Sequence, residues 1–157
     1  YPDKGDMPKE DQVYAQSRSD KEMANLRELC AKEMAEMSAR ELKKQFEEEK
    51  IYFAFDKAKL TQGSKVVLIR KATYMMEKAP EIKLLIEGHC DERGSVEYNL
   101  ALGQRRANAA RDYLISLGMG AGQVSTVSYG EERPLDPRNN EEAWAKNRRC
   151  HFVILKR

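Results

Sequence analysis

EIKLLIEG, residues 81–88, followed after a short polar gap by SVEYNLALGQRRANAARDYLISLG, residues 95–118, decides the fold. The first segment alternates: Ile82, Leu84 and Ile86 share one face, Lys83 and Glu87 the other, as in a strand with one face buried. The second changes to helical spacing. Leu102, Arg106, Ala109, Tyr113 and Leu117 recur on one face, and Gly118 stands where a helix ends on a left-handed residue.

Working outward, IYFAFD at 51–56 reads as an earlier strand with Ile51, Phe53 and Phe55 on one face. Leu68, Ala72, Met75 and Ala79 then predict a helix, with Ser64 as its N-cap and Pro80 as its stop. Downstream, QVSTVSYG (123–130) and RRCHFVILK (148–156) predict two late strands. They are separated by the turn chemistry of PLDPRNN (134–140) and a helical turn at EEAWAK (141–146). The fold class is therefore α+β: βαβα and two late strands, a mixed four-stranded sheet with its helices on one face.

The N-terminal third is different in kind. Residues 1–18 hold two prolines, many charges and almost no large aliphatics, and read as a flexible tether. Residues 19–50 lack Gly and Pro and read as a charged helical linker. Met23, Leu26, Cys30, Met34, Met37, Leu42 and Phe46 form a thin apolar stripe along it, with one slip in spacing at Leu42. Without sustained heptads, this is a helix lying on the domain or in solvent rather than a coiled-coil seam. The folded domain is expected at 51–157.

Of the chain's 157 residues, 41% are hydrophobic and 34% charged, which suits one core plus added length. Net charge is +2, divided into −3 over residues 1–50 and +5 over 51–157. That excess is too weak and too dispersed for a nucleic-acid partner. No apolar run approaches the roughly 20 residues of a membrane span. The three cysteines, Cys30, Cys90 and Cys150, have no CxxC spacing, so neither a disulfide framework nor a zinc ribbon is indicated.

Chemistry concentrates in EGHCDERG, residues 87–94, and three readings are open. Cys90 with His89 and Asp91 has the residue types of a catalytic triad, but adjacent residues point apart, whereas triad members converge from distant segments. His89 and Cys90 with Cys150 and His151 could supply four zinc ligands, but alternation along the last strand separates the second pair; buried structural thiols are the plainer reading. In the third, Asp91 at a strand's carboxyl end and Arg106 near the following helix start clamp a zwitterion. The carboxylate takes an ammonium and the guanidinium a carboxylate. Set against this is a plain ion pair of Asp91 with Arg93 or Arg106.

GHCDERGSVEYNLALGQRRANAARDYL (88–114), VSYGEERP (127–134), AWAKNRR (143–149) and YFAFD (52–56) together resemble the OmpA-like family, and within it the peptidoglycan-associated lipoprotein branch. The resemblance covers residues 51–157 with its motifs in order. It implies the OmpA-like two-layer sandwich and noncovalent binding of peptidoglycan through diaminopimelate, without catalysis, metal or cofactor. By the same resemblance Asp91 receives the ligand's ammonium and Arg106 its carboxylate. Phe55 and Asp56 form a pocket wall, and Asn99, Leu102 and Gly103, in the helix-start motif, complete the implied ligand-binding set. Arg148 and Arg149 match a segment read as structural.

The implied setting is the periplasmic side of the outer membrane, with a lipid anchor upstream of Tyr1 and the periplasmic propeller of the Tol system as partner. The alternative is the wall-binding domain of an OmpA-type porin or flagellar stator. Cys90 and Cys150 depart from the small residues usual in relatives, and a periplasmic setting favours their oxidation.

Overall fold

The structure, a computed structural model, describes the backbone of residues 9–156 and the side chains of residues 21–155. The chain divides into two units, residues 1–36 and 37–157. The first contains helix α1, Lys9–Ala35. Residues 1–8 of the expected tether lie outside the described residues, whereas residues 9–18 are helical. The breakers Pro2, Gly5 and Pro8 all precede Lys9, and no Gly or Pro follows until Gly63.

In the second unit, α2 (Ala39–Glu48) precedes a two-residue strand β1 (Ile51–Tyr52) and helix α3 (Gln62–Lys78). Strand β2 (Lys83–His89), helix α4 (Val96–Ser116), strand β3 (Val124–Gly130), short helix α5 (Glu141–Asn147) and strand β4 (Arg149–Lys156) complete it. The slip in spacing at Leu42 marks a real break. The chain leaves the helix at Glu36–Ser38, and Ser38 caps α2 by accepting from the Glu41 N–H. Because α2 buries Leu42 and Phe46, the compact unit starts at Met37 rather than at Ile51.

The sheet order is β1-β4-β2-β3. β4 runs antiparallel to both its neighbours, while β2 and β3 are parallel and joined through α4. Register pairs Leu84 with Ile154, Ile86 with Phe152 and Gly88 with Cys150, so these residues share the face covered by the helices. The outer face carries Leu85, Glu87, His151 and Val153. Among the described residues, no helix is long and apolar enough to cross a membrane.

Three local expectations need correction. β1 does not reach Asp56: Phe53 still donates to the Arg148 carbonyl, but the chain then turns, with Asp56 at φ 54° and Phe55 half exposed. Alternation alone could not show that turn. α3 is capped by Thr61, whose Oγ1 accepts from the Ser64 N–H, so Ser64 lies inside the first turn. The buried face of α4 runs through Gly103, Ala107, Ala110 and Leu114, leaving Ala109 and Tyr113 at its margin. Gly118 does take φ 112°; it and Met119 donate back to Ile115 and Leu114, closing the helix as a Schellman motif.

One buried charge ties α2 to the sheet layer. Lys71 on α3 donates to the Phe46 carbonyl at 2.6 Å, and its ammonium lies 4.4 Å from the Phe152 ring centroid. Burial pushes its pKa down to about 7, partly opposed by the Glu49 carboxylate and reinforced by Lys50 and Arg70. The unfolded chain therefore binds the extra proton between about pH 7 and 10.5. Stability is expected to rise with pH across that window, by up to about 1.4 kcal/mol per unit, and to be insensitive to this group below it. Denaturant titrations at pH 7 and 9.5 check this: Lys71→Met should remove most of the difference, and an equal rise in both proteins rules Lys71 out as its source.

Candidate functional site

The site forms where β2 stops. The register of β2 on β3 shifts at Gly88–His89, and Cys90 donates to the Gly130 carbonyl, which turns residues 90–95 away from the sheet. Gly94, at φ 105°, and Ser95, whose Oγ accepts from the Tyr98 N–H, start α4. Buried Asn99 reaches back from α4, its amide donating to the carbonyls of Asp91 and Arg93 and to Glu131. The loop is thus held by its own helix.

Beside it opens a half-enclosed pocket of about 180 Å³. Of the expected residues, Phe55, Asp56, Asp91, Asn99, Leu102 and Arg106 line it; Cys90, Arg93, Gly94 and Tyr98 add to the wall. Gly103 does not line it. An added Cβ on Gly88 would fall 1.8 Å from the Gly103 carbonyl oxygen, so Gly103 lies where α4 presses on β2 and acts as a spacer. Tyr98 donates its hydroxyl to Asp56, fixing the turn after β1 across the pocket mouth.

Asp91 is only 4% exposed. Its Oδ1 accepts from the Arg93 backbone N–H at 3.0 Å and Nε at 3.2 Å, and its Oδ2 from Arg93 Nη2 at 2.9 Å. Arg148 Nη1 stands 3.6 Å from Oδ2 and has no hydrogen-bond acceptor of its own. Burial pushes the Asp91 carboxyl up, but Arg93 and Arg148 outweigh it and hold it below the usual carboxylate range.

Arg106 is almost wholly buried. Nε donates to the Lys57 carbonyl, Nη1 to that of His89 and Nη2 to that of Ala54, at 2.9–3.1 Å. A guanidinium has five N–H donors, so two, one on each Nη, remain for another acceptor. Two opposite charges therefore border one hollow, each ionised and each fixed by partners that leave it there.

Two other readings of the loop do not find their geometry. His89 bonds Glu87 at 3.3 Å, Cys90 Sγ donates to the Asn99 carbonyl, and Asp91 is held by Arg93, so the three adjacent side chains go to three different places. Burial also pushes the Cys90 thiol up to about 11, which keeps it protonated and poorly nucleophilic. Among the described residues, no group of three or more His, Cys, Asp or Glu side chains is placed to hold a metal ion. Arg148 and Arg149 lie behind the pocket: Arg148 donates to the Phe53 carbonyl and Glu141, Arg149 to the Arg133 carbonyl.

The plain ion pair of Asp91 with Arg93 that the sequence offers is present; how Arg93 is seated is what the sequence reading missed. Its guanidinium lies between two aromatic rings, 3.9 Å from the Phe55 centroid and 4.1 Å from that of Trp144. Trp144 is itself fixed by donating to Glu92. The rings come from segments far from residue 93 in the chain, so only the charge pattern of DER hinted at the arrangement.

Comparison with known proteins agrees with this architecture. The peptidoglycan-associated lipoprotein of Pasteurella multocida (strain Pm70) is 48% identical over 100 residues, 64% of this chain and 66% of that protein. Its namesake from Brucella melitensis is 41% identical over 106 residues, 68% of this chain and 62% of the relative. The chain thus spans just under two thirds of the length of these relatives. The crystal structure of the peptidoglycan-associated lipoprotein from Burkholderia pseudomallei superposes with a TM-score of 0.65 at 41% identity, covering 68% of this chain and 90% of that one. The C-terminal domain of Helicobacter pylori MotB, at 21% identity and a TM-score of 0.64 over 69% and 85% of the two chains, shares the fold. The model of the OmpA family matches residues 52–148, more than half of the sequence; the chain belongs to the OmpA family.

Proposed function

We propose that the domain binds peptidoglycan noncovalently, gripping the free end of a diaminopimelate residue in the stem peptide. The observation that carries this is the sharing of one pocket by Asp91 and Arg106. An α-amino acid end presents an ammonium and a carboxylate on one carbon, and the pocket presents their complements. At about 180 Å³ the pocket is smaller than a typical small-molecule site of ~300–1,000 Å³, which suits a residue's end rather than a sugar. The names of the relatives support the same partner.

On this reading the protein tethers the outer membrane to the wall from its periplasmic side, through a lipid anchor on the longer protein. Residues 1–36 serve as tether and linker to the compact binding unit at 37–157. Binding a repeated polymer unit requires no bond cleavage, so the protein acts as a binding module and not as an enzyme. Modest grip at each site becomes firm attachment when many copies share one membrane and one wall. The propeller of the Tol system is the proposed protein partner.

Pull-down on two wall types tests the reading. Wall containing diaminopimelate should be retained at least about tenfold better than wall with lysine in its place, since lysine offers the ammonium alone and leaves Arg106 without its carboxylate. Asp91→Asn keeps the shape but loses the charge, and should reduce binding by about tenfold or more while circular dichroism stays native. Equal retention of both walls, or an Asp91→Asn protein that binds as well as the parent, would end the proposal.

A further inference from the structure

The cation seated on Asp91 belongs to the protein itself. Arg93 places its backbone N–H, Nε and Nη2 on the two oxygens, so three of the roughly four acceptor positions of the carboxylate meant for an incoming ammonium are already taken. The guanidinium is held from both sides by Phe55 and Trp144 and lines the pocket. Yet it is the loosest member of the cluster: its side chain is 30% exposed, against 9% for Arg148 and 4% for Asp91.

We propose that Arg93 is a built-in competitor for the site, whose guanidinium stands in the place of the ligand's ammonium and must be exchanged for it on binding. The proposal rests on the ammonium–carboxylate reading of the pocket. What remains after the exchange supports it. The Arg93 backbone N–H stays on Oδ1, because Asn99 holds the neighbouring carbonyl. Arg148 Nη1, already 3.6 Å away and lacking an acceptor, keeps the carboxylate charged and oriented. Departure of the side chain therefore strands no buried charge.

Two consequences follow for what the site accepts. A lone amine must displace a guanidinium that makes two charge-assisted hydrogen bonds and stacks on two rings, an exchange with little net gain. A ligand that also brings a carboxylate to Arg106 gains a second grip that the competitor lacks. Arg93 thus raises the threshold for simple cations and leaves the zwitterion favoured. If it closed the site about 90% of the time, apparent affinity would fall about tenfold below the intrinsic value.

Arg93→Gln tests this, with a soluble disaccharide-tripeptide ending in diaminopimelate as probe and calorimetry as readout. The variant is expected to bind about tenfold tighter than the parent, and added methylguanidinium, which fits the vacated slot between the rings, should reverse the gain. Trp144 is the only tryptophan in the sequence, so its fluorescence reports the exchange. It should change when the parent binds the probe and change much less in Arg93→Gln. Unchanged or weaker binding by Arg93→Gln, with the parent binding normally, overturns the competitor role and makes Arg93 a ligand contact or a bystander. If neither protein binds the probe, the reading of the pocket itself falls, and this inference with it.

Discussion

Arg106→Ala is expected to lower the thermal midpoint by roughly 10–20 °C, weakening the fold itself and not the pocket alone. The reason is where the guanidinium sits. It crosses from α4 to the turn after β1 and to the end of β2, donating to the carbonyls of Ala54, Lys57 and His89, with the Phe53 ring centroid 5.2 Å away. Truncation leaves those acceptors without donors and opens a void beside Phe53, at a cost of about 3–5 kcal/mol. Arg106→Lys retains the charge but not the fork, and should fall between parent and alanine. A thermal scan followed by circular dichroism decides it: a midpoint within about 2 °C of the parent would mean that these hydrogen bonds add little.

Gly88→Ala should be the most damaging single methyl in the domain. The new Cβ would lie 1.8 Å from the Gly103 carbonyl oxygen and 2.6 Å from its carbon, both backbone atoms of a helix that cannot yield locally. α4 would have to lift off β2, taking with it Asn99, which holds the loop at 90–95. Overpacking usually costs about 1–3 kcal/mol, and a backbone clash this close belongs at or above the top of that range. Gly103→Ala is the control. Its Cβ would meet the Ser128 hydroxyl at 2.3 Å, a side chain that can rotate away, and the Gly88 oxygen at 3.0 Å. It should be clearly milder; equal losses in urea titrations would show that the asymmetry of the contact does not matter.

The elements that alternate or repeat cleanly were legible in the chain. Ile82, Leu84 and Ile86 marked β2, Gly118 marked the end of α4, and the strand-helix order led directly to the mixed sheet. Where the reading slipped, the deciding force was tertiary. IYFAFD alternates through Phe55, but the turn at Ala54–Lys57 is set by hydrogen bonds to Arg106, 49 and 52 residues later in sequence. Residues 9–18 look polar enough for a tether, yet helix needs only the absence of breakers, and those cluster in the first eight positions.

The pocket shows the same division. Asp91 and Arg106 could be paired from their spacing and from resemblance, and both border the hollow. Gly103 was assigned to the ligand because it belongs to the same motif, whereas its lack of a side chain serves the helix-sheet contact. The pairing of Arg93 with Asp91 was local, but its stacking had no local signature, since the two rings belong to Phe55 and Trp144.

The position of α2 bears on how the domain responds to mechanical load. Any pull arriving from the N-terminal side reaches α2 before β1, and α2 is fastened by Leu42, Phe46, the Lys71 contact and the Arg70–Glu49 pair. Only past it lie the carbonyls of residues 53, 54 and 57 that seat Arg148 and Arg106. If those ten helical residues peel away and extend, the chain lengthens by about 20 Å. That slack would act as a fuse, absorbing a jolt before the strain reached the pocket.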